Sequence, residues 1–289
     1  MEKTQTYITL NTNNKIPQIG FGVFQIVGDE LTEKSCLEAL KIGYRHIDTA
    51  HAYHNEKGVG EAVKKSGIPR NEIFITSKIW ANECAEGKTK KAIERMLKRL
   101  NMEYLDLLLI HWPFGDYISS WKEMEKCVKE GKLKNIGLSN FYGEHLDKIL
   151  KNCTIKPAVN QVECHPYFPN DDLREQMKEY NCPIEAWSPI GRGDKKLLSE
   201  NVLVEASKKY NKSVVQILIR WHLQKGNIVL PRSINPEHIK DNFNVFDFEI
   251  GKEDMDKIEA LKNDNKAIFC ADFEEKLKSC ASKSVSEDD

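Results

Sequence analysis

Short runs of β-branched and other apolar residues alternate along this chain with longer amphipathic stretches. Ile19–Phe21 precedes a stretch of helical periodicity at Leu31–Ile42, Arg45–Ile47 precedes Glu56–Lys65, and Ile73–Ser77 precedes Lys88–Leu100. The alternation continues with Leu105–Ile110 and Ser120–Lys129, Leu133–Leu138 and Gly143–Leu150, then Ala158–Val162 and Asp171–Glu179. Ile184–Trp187 leads to a helix at Val202–Tyr210, helix Val214–Gln224 leads into Ile228–Leu230, and Pro236–Asn242 is the last predicted helix. Strands that alternate with helices predict parallel β/α units. Eight such units close into a barrel, so the expected fold is an α/β (β/α)8 TIM barrel. Tyr7–Leu10 and Lys15–Pro17, joined by Asn-Thr-Asn-Asn, predict a short β-hairpin ahead of it.

An open doubly wound sheet is the competing arrangement. Its dinucleotide fingerprint is G-x-G-x-x-G after the first strand. Here the first strand gives Gly20-Phe21-Gly22-Val23-Phe24-Gln25, without the third glycine, and Gly58-Val59-Gly60 falls inside a helical stretch. Any dinucleotide is therefore held in another way. The 289 residues, 40% hydrophobic and 30% charged, suit one large core and one barrel domain over residues 1–289. The polar tail from about residue 271 is expected on the surface or frayed. With 43 basic and 44 acidic residues the formal charge is −1. That balance offers nothing to nucleic acid or a membrane surface. Met1–Leu10 lacks a secretory apolar segment, and Leu105–Ile110 is too short to span a bilayer, so the expectation is a cytoplasmic protein. Its eight cysteines form no C-x-x-C or zinc-like spacing and read as reduced, mostly buried thiols.

Polar residues fall at the ends of the predicted strands: Asp48, Lys78, His111, Ser139 with Asn140, Gln161, Trp187 with Ser188, and Arg232 with Ser233. In a β/α barrel these ends share one rim, where active sites sit. Asp48 and Lys78 adjoin apolar strands, and pairing removes most of the cost of burying each charge. Tyr53 lies in the loop behind the strand that ends at Asp48. A neighbouring ammonium lowers a phenol's pKa, which suits it to give a proton to a carbonyl oxygen. His111 is placed to hydrogen-bond the same oxygen. Taken singly, each residue has a bland reading: a structural ion pair for Asp48 and Lys78, a packing aromatic for Tyr53, a satisfied core histidine for His111. His51 and His54 form an H-x-x-H without a third ligand at a usual spacing, so no metal is expected. His46, His165, His222, Trp121 and Trp221 read as structural.

Ordered motifs join these residues. They are Gly43-Tyr44-Arg45-His46-Ile47-Asp48-Thr49-Ala50 with Tyr53 and Asn55-Glu56, then Ile73-Phe74-Ile75-Thr76-Ser77-Lys78, then Leu109-Ile110-His111-Trp112-Pro113. Ile136-Gly137-Leu138-Ser139-Asn140-Phe141, Asn160-Gln161-Val162-Glu163-Cys164-His165-Pro166, Trp187-Ser188-Pro189-Ile190-Gly191, and Leu230-Pro231-Arg232-Ser233 with Asn242-Phe243 follow. In this order they resemble the aldo-keto reductase superfamily, in the style of its bacterial diketogluconate-reductase and microbial prostaglandin-synthase branch. The resemblance implies reduction of aldehydes and ketones by hydride transfer from NADPH, with NADH as a weaker cofactor. It implies Tyr53 as general acid, Lys78 and Asp48 as the pair that tunes it, and His111 as the carbonyl's guide. Ser139, Asn140 and Gln161 would hold the nicotinamide carboxamide, and Trp187 would stack on the ring. Ser188, Ile190 and Gly191 would line the pyrophosphate path, with Gly22 and Val23 opposite. Arg232 and Ser233 would bind the 2′-phosphate and Asp241 and Asn242 the adenine, with Ile234 also among the cofactor-binding residues. His238 stands where relatives usually carry Arg, which narrows the margin for NADPH. Phe24, Trp80 and Trp112 would form an aromatic wall. The short segment Pro113–Trp121 implies a wide pocket that takes varied small carbonyl substrates; with no self-complementary apolar surface evident in the sequence, a monomer is expected. A metal-dependent barrel hydrolase would need an H-x-H on the first strand, which is absent; a non-catalytic barrel relative would have lost one of the four central polar residues.

Overall fold

The computed structural model describes residues 5–263 and 283–286. A hairpin of β1 (Tyr7–Thr9) and β2 (Lys15–Pro17) pairs Ile8 with Ile16. Leu10 and Ile16 pack with Phe74, Leu107, Leu109 and Ile228, closing the barrel where its strands begin. The main sheet has eight parallel strands: β3 (Phe21–Gly22), β4 (His46–Asp48), β5 (Phe74–Ile79), β6 (Leu105–Ile110), β7 (Leu133–Ser139), β8 (Asn160–Glu163), β9 (Ile184–Trp187) and β10 (Ile228–Val229). Each pairs with its neighbour in chain order. The ring closes where Val229 N donates to Gln18 O and Gly20 N to Val229 O, both at 2.9 Å, and where Ile19 bridges Val229 in parallel. The expected (β/α)8 barrel with its hairpin is therefore the fold.

The strands read as near-continuous apolar runs because a parallel barrel is covered on both faces. Every residue of β5 is buried, and β6 is buried except at Asp106. Helices α1 (Asp29–Ile42), α2 (Glu56–Ser66), α3 (Thr89–Leu100), α4 (Tyr117–Lys129), α5 (Gly143–Asn152) and α6 (Asp171–Lys178) follow successive strands. A single turn α7 (Lys195–Leu198), then α8 (Asn201–Tyr210), α9 (Val214–Gln224), α10 (Pro236–Phe243) and α11 (Lys252–Glu259), complete the described layer. Helix α3 shows the logic. Ala92, Ile93, Met96, Leu97 and Leu100 form one buried stripe, and the helix ends at Asn101, whose φ of 53° is left-handed. Each large apolar side chain so buried contributes about 1.5–3 kcal/mol.

Most expected boundaries shift by one to three residues, as helix and strand ends do. Helix α11 has no counterpart in the sequence reading, because only Ile258 and Asp254 are buried along it. Gly58 and Gly60 serve packing. A Cβ at Gly58 would lie 2.4 Å from Asp29 O, and one at Gly60 would lie 2.2 Å from Leu100 O. Both glycines let α2 lie close against its neighbours. Among the described cysteines all are free; Cys153 is half-buried and the others are buried.

Candidate active site

The ends of strands β4 to β9 deliver their polar side chains to one rim. Asp48 ends β4, Lys78 is the penultimate residue of β5, His111 follows β6, and Ser139 ends β7. Gln161 lies on β8, and Trp187 ends β9. Tyr53 closes a 3-10 turn, His51–Tyr53, behind β4. Lys78 is fully buried. Its ammonium donates to Asp48 Oδ1 at 2.6 Å, to Thr49 O at 2.8 Å and to the Tyr53 hydroxyl at 3.3 Å. The second carboxylate oxygen, Asp48 Oδ2, accepts from Gln161 Nε2 at 2.8 Å. The imidazole of His111 stands edge-on between Tyr53 and Trp80, with ring centroids 5.6 and 5.0 Å away.

Above this group opens a cavity of about 720 Å³. Of the expected site residues, Gly22, Phe24, Asp48, Tyr53, Trp80, His111, Trp112, Ser139, Asn140, Gln161, Trp187, Ser188, Ile190 and Arg232 line it. Lys78 sits behind the wall and reaches the cavity through Tyr53. Val23 does not line it: its side chain is wholly buried in the core, and its backbone N–H donates to Asp48 O at 3.0 Å. Gly191 is buried beside the cavity. Ser233, Ile234, His238, Asp241 and Asn242 lie outside it, on α10 and the loop before it. Arg232 points back, donating to Gln25 O at 2.9 Å.

Electrostatics separate these groups. Burial raises the Tyr53 phenol above its ordinary value, aided by Asp48; the Lys78 ammonium pulls the other way and loses. This reverses the direction expected from the sequence, because local spacing shows the cation and hides the desolvation. The phenol is thus protonated at neutral pH. Burial is the strongest single influence on Lys78 and opposes its charge, but Asp48, Tyr53 and Glu185 together outweigh it, and the ammonium is held above its usual range. Burial pushes Asp48 up, against Lys78 and Gln161. His111 is held well below the ordinary imidazole range, first by burial and then by Lys78, so it is neutral.

A nicotinamide fits what this wall offers. Gln161 Oε1 accepts no hydrogen bond from the described residues, although Gln161 lines the cavity. Asn140 is more engaged than its expected role suggests: its amide donates to His111 O and Ser139 Oγ, and its oxygen accepts from Trp187 Nε1 at 3.0 Å. Asn140 and Ser188 hold φ of 63° and 51° at this rim, strain of the kind that gathers at functional sites.

Three features escaped the sequence. Lys283–Val285, expected on the surface or frayed, docks on the cavity. Trp80 Nε1 donates to Lys283 O, and Asn82 Nδ2 to Val285 O, both at 2.9 Å. Val285 packs with Trp80, Trp112 and Phe114, so the mouth is more covered than the short Pro113–Trp121 segment implied. Its only trace in the sequence is a lone valine in a polar run; the rest of the tail lies outside the described residues. Arg192 lines the cavity with its guanidinium 5.4 Å from the Phe24 ring centroid. Glu185 is wholly buried under Gln161; its signal was an acid inside the apolar run Ile184–Trp187.

Known proteins resemble this chain in sequence and fold. The profile of the aldo/keto reductase family matches residues 18–263. A glyoxal reductase of Bacillus subtilis is 46% identical over 90% of this chain and 94% of its own length. A 9,11-endoperoxide prostaglandin H2 reductase of Trypanosoma cruzi is 43% identical over 90% of this chain and 92% of its own. The crystal structure of a Bombyx mori aldo-keto reductase in complex with NADP matches with a TM-score of 0.87 and 29% identity, over 93% of this chain and 97% of that one. The chain therefore belongs to the aldo/keto reductase family and is an NAD(P)H-dependent oxidoreductase acting on carbonyl groups.

Proposed function

We propose that this enzyme reduces small aldehydes and ketones with NADPH, and that Tyr53 supplies the proton. The observation that carries the reading is the Lys78 ammonium, 2.6 Å from Asp48 Oδ1 and 3.3 Å from the Tyr53 hydroxyl at the cavity wall. The buried phenol keeps its proton at neutral pH and gives it up to an oxygen that becomes basic. Lys78 then steadies the phenolate, and Asp48 holds Lys78 in place. A neutral His111 has one N–H to give to the same oxygen. Trp80, Trp112 and Val285 pack into an apolar wall at this corner that would keep water from the reacting oxygen.

When bound, the reduced nicotinamide supplies the hydride for the carbonyl carbon. Gln161, Ser139 and Asn140 would hold its carboxamide and Trp187 its ring face. Gly22, Ser188, Ile190 and Gly191 would line the pyrophosphate. Arg232, Ser233, Ile234 and the start of α10 would take the 2′-phosphate, since a guanidinium and a helix N-terminus both favour it. Asp241 and Asn242 would meet the adenine. With His238 in place of a second permanent cation, NADH would serve as a weaker cofactor. The NADP complex of the Bombyx mori relative supports this choice. Relatives named for glyoxal and for prostaglandin H2 support a pocket that admits varied substrates.

The test is loss of reduced-nicotinamide absorbance with nitrobenzaldehyde and with glyoxal, using both cofactors. Tyr53→Phe should lower kcat by about 10²–10⁴-fold while NADPH affinity stays near wild type. Retained turnover rejects the assignment. No helix among the described residues is long and apolar enough to cross a membrane. The reading is of a cytoplasmic monomer without nucleic-acid partners, and sedimentation checks the monomer.

A further inference from the structure

Behind the cavity wall, β8 and β9 pair with Gln161 directly beside Glu185. Gln161 Nε2 donates to Glu185 Oε2 at 2.8 Å, and the same nitrogen donates to Asp48 Oδ2 at 2.8 Å. A primary amide has two N–H bonds on one nitrogen and one carbonyl oxygen on the other side. Asp48 is committed to Lys78, so its remaining oxygen demands a donor. Glu185 takes the second N–H. Both protons of the Gln161 amide are then spent inside the wall. Its carbonyl oxygen is left on the other side, with no hydrogen bond from the described residues.

We propose that Glu185 is a positioning residue: by sharing the Gln161 amide nitrogen with Asp48, it fixes the Gln161 carbonyl toward the cavity as an acceptor for an N–H donor on the ligand. On the function proposed above, which this inference rests on, that donor is the carboxamide of the nicotinamide. Without Glu185, one amide N–H would be unspent and the side chain would be free to rotate about its remaining bond to Asp48.

The surroundings explain why an acid is tolerated there. Glu185 faces Asp48 and His46 from β4 and Lys78 from β5. Lys78 already balances Asp48. His46 lies 3.7 Å from Glu185 Oε1, too far for a hydrogen bond, and burial holds its pKa down at about 3, so it brings no charge. Glu185 Oε1 has no hydrogen-bond partner among the described residues. Burial, with the Asp48 charge next, pushes the Glu185 carboxyl up to about 8. At neutral pH it is a neutral acid whose carbonyl oxygen accepts from Gln161, so one cation serves the whole cluster.

The experiment compares binding of NADP+ and its acetylpyridine analogue, in which a methyl ketone replaces the carboxamide and removes the N–H donor. Equilibrium binding is measured for wild type, Glu185→Gln and Glu185→Leu. Wild type should prefer NADP+ by about tenfold, the worth of one buried hydrogen bond left unmade. Glu185→Gln, whose side-chain oxygen still accepts the N–H, should keep that preference. Glu185→Leu should lose most of it, through weaker NADP+ binding and an almost unchanged affinity for the analogue. If the leucine variant does not fold, Glu185→Met takes its place. Equal weakening of both ligands, or a preference unchanged in the leucine variant, overturns the proposal. A wild type that binds both ligands equally overturns it too, while leaving the reductase reading intact. A wild type that binds neither would instead remove that reading, and this inference with it.

Discussion

Two buried ion-paired clusters attach to neighbouring residues of β5 and face opposite ways. Ser77 turns outward, where its hydroxyl donates to Glu56 Oε1 at 2.5 Å and Arg99 Nε reaches Glu56 Oε2 at 2.7 Å. Lys78 turns inward to Asp48 at 2.6 Å. This is the alternation that any strand imposes. In both pairs each carboxylate oxygen is answered, and in both burial raises the carboxyl. What differs is where the hydrogen bonds end. The Glu56 cluster is used up joining α2, α3 and the sheet. The Lys78 cluster passes one donor to a phenol at the edge of the cavity. On the function proposed above, a buried pair serves chemistry when a group it holds, here the Tyr53 phenol, can exchange a proton with something outside the wall.

The largest expected effect lies inside. Lys78→Met should lower kcat by about 10²–10⁴-fold, comparable to the loss expected for Tyr53→Phe. It should also push the Tyr53 phenolate to still higher pH, because the ammonium is the chief force lowering it. Phenolate absorbance, read against Tyr53→Phe, checks the direction. Arg99→Met should instead cost about 3 kcal/mol of unfolding free energy, near the low end for a broken buried pair because Arg99 reaches solvent. Its kcat per folded molecule should hold. If Arg99→Met abolished turnover in folded protein, the contrast between the two pairs would fail.

A pH series sharpens the inner cluster further. Glu185 is raised in the fold from 4.5 to about 8. A carboxyl with a raised folded-state pKa gives its stability below the unfolded value and loses it as pH rises through the folded one. Glu185→Gln does not titrate there. Its melting temperature should gain on wild type between pH 4.5 and about 8, by several degrees, and the gap should then level off. A gap that stays flat with pH would mean that Glu185 is already ionised in the fold. The smallest effect belongs to the exposed edge of the site. Arg232→Ala should raise the NADPH KM roughly tenfold and leave the NADH KM unchanged, since only NADPH carries the extra phosphate. An equal rise for both cofactors would remove Arg232 from the phosphate.

The barrel was legible because its signal is periodic and local. Leu105–Ile110, Ile184–Trp187 and Val214–Gln224 match the structure end for end. The polar residues at strand ends were legible once the barrel was, since closure brings those ends to one rim. The direction of the Tyr53 shift was not, because it depends on how much protein surrounds the phenol. The docking of Lys283–Val285 joins positions about two hundred residues apart, with the side chains of Trp80 and Asn82 donating to backbone carbonyls of the tail, and a backbone acceptor leaves no residue pattern.

The amino-acid order alone determined the β/α alternation, the rim and the identity of the phenol, ammonium, carboxylate and imidazole. Only the folded chain decided which way the Gln161 amide faces and how dry the phenol is. Periodicity is carried by near neighbours, whereas desolvation and hydrogen-bond direction are set by whatever packs around a group from distant parts of the chain.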